Sequence, residues 1–224
     1  MSASEAGDPP PQPRQDYMAL PSPKTDVTAI FHACLSDLAR MVQADTGPAS
    51  GTHAWEQAAK TAIRIGLRTR DTLDERFFDA LINAGVYDPN PSANAQFIRP
   101  AIASFGRQRV QTALLEFLRH GTNPERAGAA RAWYWTRASQ KYVENNRTEW
   151  DGLANLRAEW RDAALREFIS NEDIDVRRCI LPGLPLSIER YPADLHALVA
   201  EAIRIARTHP DDYLRHRVEI QIKV

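Results

Sequence analysis

Lysine is scarce in this chain: of 28 cations, 24 are Arg and four are Lys. Arg is the better residue for planar, two-pronged recognition of phosphate and carboxylate. A GC-rich coding sequence yields the same bias, and the abundance of Ala agrees with that plainer cause. Cysteine is scarcer still. Cys34 and Cys179 lie far apart on predicted helices, which excludes a disulfide framework and a cysteine zinc site and points to a reducing, cytoplasmic setting. No apolar run approaches the ~20 residues needed to cross a bilayer, so no membrane role is expected. Residues 1–24 hold six of the 15 prolines and no apolar stretch, unlike a secretory signal. Also missing are a P-loop and the GxGxxG, HExxH, GxSxG and CxxC motifs. The six His are scattered, with no second ligand at helical spacing. No cofactor and no metal are expected, and a catalytic role has no motif behind it.

What is present is an uneven distribution of charge. The net charge of −1 hides three blocks: −4 over residues 1–98, +6 over 99–147 and −3 over 148–224. Such asymmetry bears on partners and association rather than on fold.

Residues 1–25 are Pro-rich and polar, with Pro9-Pro10-Pro11 and Pro21-Ser22-Pro23, and read as a disordered arm. From residue 26 the apolar spacing turns helical. It predicts helices paired as 27–44 with 53–69, 72–84 with 93–105, 107–119 with 124–142, 149–169 with 173–181, and 192–207 with 210–217. Thr72 and Glu75 have capping-box spacing at the start of the third helix, and Gly85 is expected to end it. The last residues, 218–224, alternate apolar and polar; an edge strand, a frayed helix end and a docking tail all fit.

One short pattern recurs at an offset of 38 residues, Asp175-Val176-Arg177-Arg178-Cys179-Ile180 and Tyr213-Leu214-Arg215-His216-Arg217-Val218. Each copy follows an acidic turn. A helical pair that recurs must stack on its neighbours to bury its apolar face. In these residues, with a weaker copy at Pro124-Glu125-Arg126, the chain resembles the HEAT-like (armadillo-type) helical-repeat superfamily over roughly residues 107–222. The resemblance implies an all-α, right-handed α-solenoid of about five helical pairs over residues 26–224. It also implies that Arg177 and Arg215 are ladder residues joining repeats. Such repeats carry an Asp six residues before that Arg, where this chain has His120, Asn171 and His209. Asp173 and Asp211, four residues before the Arg, are the substitute partners.

On a wheel of about 100° per residue, Arg126, Trp133, Arg137 and Lys141 share one narrow sector of the predicted 124–142 helix. Three cations around an indole offer charge for oxyanions and a flat face for stacking. Arg107 and Arg109 on the preceding helix extend the patch. Packing of Trp133 in the core, with the cations reaching past it to water, explains the same pattern. The expected function is non-catalytic binding of a macromolecule, a protein partner before a nucleic acid, in an adaptor, scaffold or immunity-type role. The alternative is a nucleic-acid binder or a HEAT-like alkylpurine DNA glycosylase, the branch that Trp150-Asp151 and Trp160 bring to mind. The oligomeric state is left open.

Overall fold

The computed structural model describes residues 18–47, 49, 51–137, 143 and 145–222, and among them every regular element is helical. In chain order these are α1 (Thr28–Met41), α2 (His53–Arg68), α3 (Arg76–Tyr87), α4 (Ala95–Phe105), α5 (Arg107–His120), α6 (Asn123–Trp133), α7 (Arg147–Gly152), α8 (Ala154–Ser170), α9 (Ile174–Ile180), α10 (His196–Thr208) and α11 (Asp212–Ile222). Short 3-10 turns cover Tyr134–Thr136, Leu181–Gly183, Ile188–Arg190 and Ala193–Leu195. None of the described helices is long and apolar enough to cross a membrane.

Each helix touches its sequence neighbour: α1 with α2, α3 with α4, α5 with α6, α8 with α9, and α10 with α11. Contacts between pairs follow two rows. One runs α1–α3–α6–α9–α11, the other α4–α5–α8–α10. The core lies between the rows and includes Phe31, Leu35, Phe97, Leu114, Leu165, Phe168 and Val199, each almost wholly buried. Phe31 and Phe97 meet edge to face at 6.3 Å, the arrangement the ring quadrupole favours.

Two local expectations change, and one left open is decided. Thr72 and Glu75 form no capping box: α3 starts at Arg76, and Glu75 pairs with Arg109. The same Thr-x-x-Glu spacing does close at α6, where the Thr122 amide and hydroxyl donate to Glu125 at 2.7 and 2.8 Å. Pro124 adds a preset φ there, in a position where its missing N–H costs nothing. Gly85 does not end α3. It lies inside the helix, where a Cβ would meet Ile98 Cδ1 at 2.6 Å; the helix runs on to Tyr87 and breaks at Asp88-Pro89. Finally, the alternating tail is helical as far as Ile222. Gln221 Nε2 ties it down by donating to the Leu181 and Leu184 carbonyls at 3.0 and 3.1 Å.

Ion pairs between successive helical pairs do occur, one of them on the expected Asp211, although not through Arg177, Arg215 or Asp173. Arg177 turns back to the end of α8 and donates to the Phe168 and Ile169 carbonyls at 3.2 and 3.3 Å. Arg215 likewise donates to the His209 carbonyl and pairs with Asp212. Asp173 is an N-cap for α9, accepting from the Asp175 and Val176 amides. The link to the next pair is one residue later: Arg178 meets Asp211 at 2.5 Å, with both side chains largely buried. A step of about 100° around the helix separates the two directions. The preceding link is Arg126 with Glu167 at 2.7 Å.

Asp211 carries a testable pH dependence. Burial pushes its carboxyl up, but the Arg178 hydrogen bond and the Leu214 amide outweigh this and hold it below its ordinary 3.8. An acid with a lowered folded pKa contributes stability above its unfolded value and loses it as pH falls through the folded one. Asp211→Asn keeps the cap oxygen but removes the charge. It is expected to cost about 2 kcal/mol at pH 7, less than a fully buried pair because Arg178 retains Asp175. Urea midpoints should differ at pH 7 and draw together only as the pH falls below 3.8 and through the lowered folded value; a gap independent of pH would refute the assignment.

Candidate functional site

The largest aromatic concentration in the fold surrounds a cavity of about 460 Å³ between α6, α8, α9 and α11. Trp133 and Trp160 form one wall, stacked with ring centroids 3.9 Å apart and planes 3° from parallel. Trp135 is fixed by donating its indole N–H to the Pro91 carbonyl at 3.0 Å and to Asn94 Oδ1 at 2.6 Å. Tyr134 stands at 87° to it and is 56% exposed. Met18 and Leu20, from the described end of the N-terminal arm, also line the cavity. The arm is held a few residues later, where the Lys24 and Thr25 amides donate to Asp175 Oδ2 at 2.6 and 3.1 Å.

The turn that presents Tyr134, Trp135 and Arg137 has a local cause. Thr136 Oγ donates back to the Trp133 carbonyl at 2.8 Å, a side-chain bond that replaces the next helical one. From α5, Gln111 Nε2 donates to Thr136 Oγ at 3.1 Å, and buried Arg107 donates to the Thr136 carbonyl. Helix α6 therefore ends at Trp133 and Arg137 is extended, so the sector expected to carry Arg126 to Lys141 on one continuous helix is interrupted. Lys141 lies outside the described residues.

The structure brings Trp133 and Arg137 to the cavity and places the other sequence candidates elsewhere. Arg126 is part-buried in its pair with Glu167. Arg107 works inside the core behind the turn. Arg109 pairs with Glu75 and covers the Phe78 ring at 3.9 Å. Arg119 meets Glu159 and Arg147 meets Asp151. Arg131, 6% exposed, donates to the Val86 and Asp88 carbonyls and to Cys179 Sγ. The described part of the basic block is thus largely consumed in holding helices together, and among its described cations only Arg137, over the Tyr134 ring at 5.2 Å, is exposed at the cavity.

Sequence reasoning missed Arg217. It lines the cavity, its Nε is buried without a hydrogen-bond partner, and no ion pair reaches it among the described residues. The side chain as a whole is only partly buried, but an N–H kept from water without a partner is costly. Tyr213 and Arg217, four residues apart, share a face of α11, but nothing in that spacing shows that the guanidinium lacks a partner. None of the described residues lining the cavity is a carboxylate. Cys179, also in the wall, has its thiol pushed up by burial, which opposes nucleophilic reactivity. Among the described residues no group of three or more His, Cys, Asp and Glu is arranged to hold a metal ion.

These features can hold a ligand that combines a flat or apolar part, for the indole walls, with an oxyanion for Arg217 and Arg137. No family model, no curated protein and no solved structure matches the chain.

Proposed function

We propose that this chain is a non-catalytic binding protein, a right-handed HEAT-like α-solenoid that takes a segment of a partner protein into the aromatic cavity. The observation that carries this reading is Arg217, which has no ion pair among the described residues, lining a cavity walled by Trp133, Trp160 and Tyr134. Aromatic and Arg residues in a desolvated pocket are the usual anchors of protein interfaces. The ligand is a segment with an aromatic or apolar residue next to a carboxylate. Single-stranded nucleic acid remains a second reading, favoured by exposed Tyr134 with Arg137 over its ring, a platform on which a base stacks.

The test is selection of a random dodecapeptide display library on the full chain, followed by affinity measurements on Tyr134→Ala/Arg217→Met. Arg217 has no partner to lose, so the Met variant keeps the fold. A selected consensus pairing an aromatic with an acid, bound at least tenfold more weakly by the variant, supports the reading. Equal binding by the variant overturns it. If no consensus emerges and an oligothymidylate binds with steep salt dependence, the nucleic-acid reading takes its place.

A further inference from the structure

A patch of free positive charge on the described surface lies largely in the acidic part of the sequence, residues 1–98. A groove of about 660 Å³ between α2 and α4 is lined by Arg64, Arg68, Arg70 and Arg99 against a single acid, Asp71. Arg64 and Arg68, one turn apart on α2, are exposed and have no hydrogen bond or ion pair among the described residues. This contrasts with the basic block, whose cations are mostly paired. Arg70 is partly engaged, donating to the Gly66 carbonyl at 2.5 Å. Arg99 lies 4.9 Å over the face of Trp135. Two free guanidiniums, Arg64 and Arg68, with two engaged ones beside them in the same lining, concentrate positive field in this concavity and favour oxyanions.

The groove adjoins the aromatic cavity. Ser92 lines both, and Arg99 bridges them by stacking on Trp135, which belongs to the cavity wall. The floor of the groove is aliphatic, formed by Leu67, Leu73 and Pro100. It has no aromatic face on which a base would stack, while it suits the side chains of a peptide. We propose that the α2–α4 groove binds an acidic stretch of the partner protein, carboxylate or phosphoryl side chains flanking the residue held in the aromatic cavity. This rests on the protein-binding reading of that cavity and adds the charge of the partner and the direction in which it leaves.

The experiment uses three fluorescein-labelled probes of similar charge on the full chain at low salt: octaglutamate, a peptide of four phosphoserine-glycine repeats, and an eight-nucleotide oligothymidylate. Saturable binding of an acidic peptide, weakened at least tenfold in Arg64→Ala/Arg68→Ala, is expected. Which peptide binds tighter identifies carboxylate or phosphate as the source. Both arginines are exposed and unpartnered, so the melting temperature of the variant should equal that of wild type. Octaglutamate has no aromatic group for the indole walls, so its loss of affinity in the double arginine variant reports on the groove. Failure of the cavity reading therefore shows in the display peptides, and failure of the groove shows here. Undiminished binding by the double variant, binding by neither peptide, or tighter binding of the oligothymidylate than of both peptides would overturn the proposal.

Discussion

Replacing Lys60 with Met should destabilise the protein by about 4 kcal/mol at pH 7, because it strands a buried carboxylate. Lys60 Nζ is 2.7 Å from Glu56 and 3.2 Å from Asp88 Oδ2, and Asp88 is fully buried. The Met side chain keeps the apolar stem, which crosses under the Phe31 ring with Nζ 4.7 Å from its centroid, so little of the loss is packing. Asp88 would keep only the Asn90 amide as a donor. Burial already holds the Asp88 carboxyl above its ordinary value even with the lysine beside it. Without the lysine it rises further. An acid whose folded pKa exceeds its unfolded one gains stability as pH falls, so the deficit should shrink between pH 7 and pH 5. Adding Asp88→Asn removes the stranded charge and should restore most of the loss. Urea titrations of the three proteins at both pH values test this; a deficit below about 1 kcal/mol, or no rescue by Asn, contradicts it.

Gly128→Ala should cost about 3 kcal/mol, although Ala is favoured over Gly inside a helix by about 1 kcal/mol. A Cβ at 128 would lie 2.0 Å from the Val86 carbonyl oxygen and 2.9 Å from Val86 Cγ1. The oxygen is backbone, so α3 and α6 must separate. That separation would also stretch the Arg131 bonds to the Val86 and Asp88 carbonyls and shift Trp133 at the end of α6. Peptide binding at the cavity should therefore weaken with stability. The matched control is Gly152→Ala, where nothing stands within 4 Å of the added methyl and a gain of a few tenths of a kcal/mol, roughly 0.5, is expected. Thermal melts and urea titrations separate the two cases.

Much of the helical plan was legible because amphipathic spacing and turn residues act locally. The five sequence pairs and the breaks at Asp88-Pro89 and Gly121-Thr122 need nothing beyond neighbouring residues. Partners in the sense of ion pairs were not legible. Arg126 finds Glu167 and Arg178 finds Asp211 across 41 and 33 residues, distances over which composition and spacing say nothing. The two Thr-x-x-Glu segments show the same limit: identical spacing closes a box at Thr122, while at Thr72 the glutamate is taken by Arg109 from another helix. The tail from Val218 to Ile222 alternates like a strand, yet tertiary contacts to Leu181 and Leu184 decide for helix. At the site, Trp133 and Arg137 could be read from the sequence. Arg217 could not, because its significance lies in a missing partner, and only a fold reveals what fails to reach a side chain.

The hydrogen bonds from Lys24 and Thr25 to Asp175 span 150 residues of chain. Helices stacked in rows, each touching only its neighbours, tend to fray from their ends, with each unit melting nearly on its own. Here the residues just ahead of α1 are fastened to α9, three steps along the same row, so the first pair cannot leave without breaking that clasp. Unfolding should consequently be all-or-none rather than progressive, and the amides of residues 24 and 25, close to the start of the chain, should exchange as slowly as those of the core.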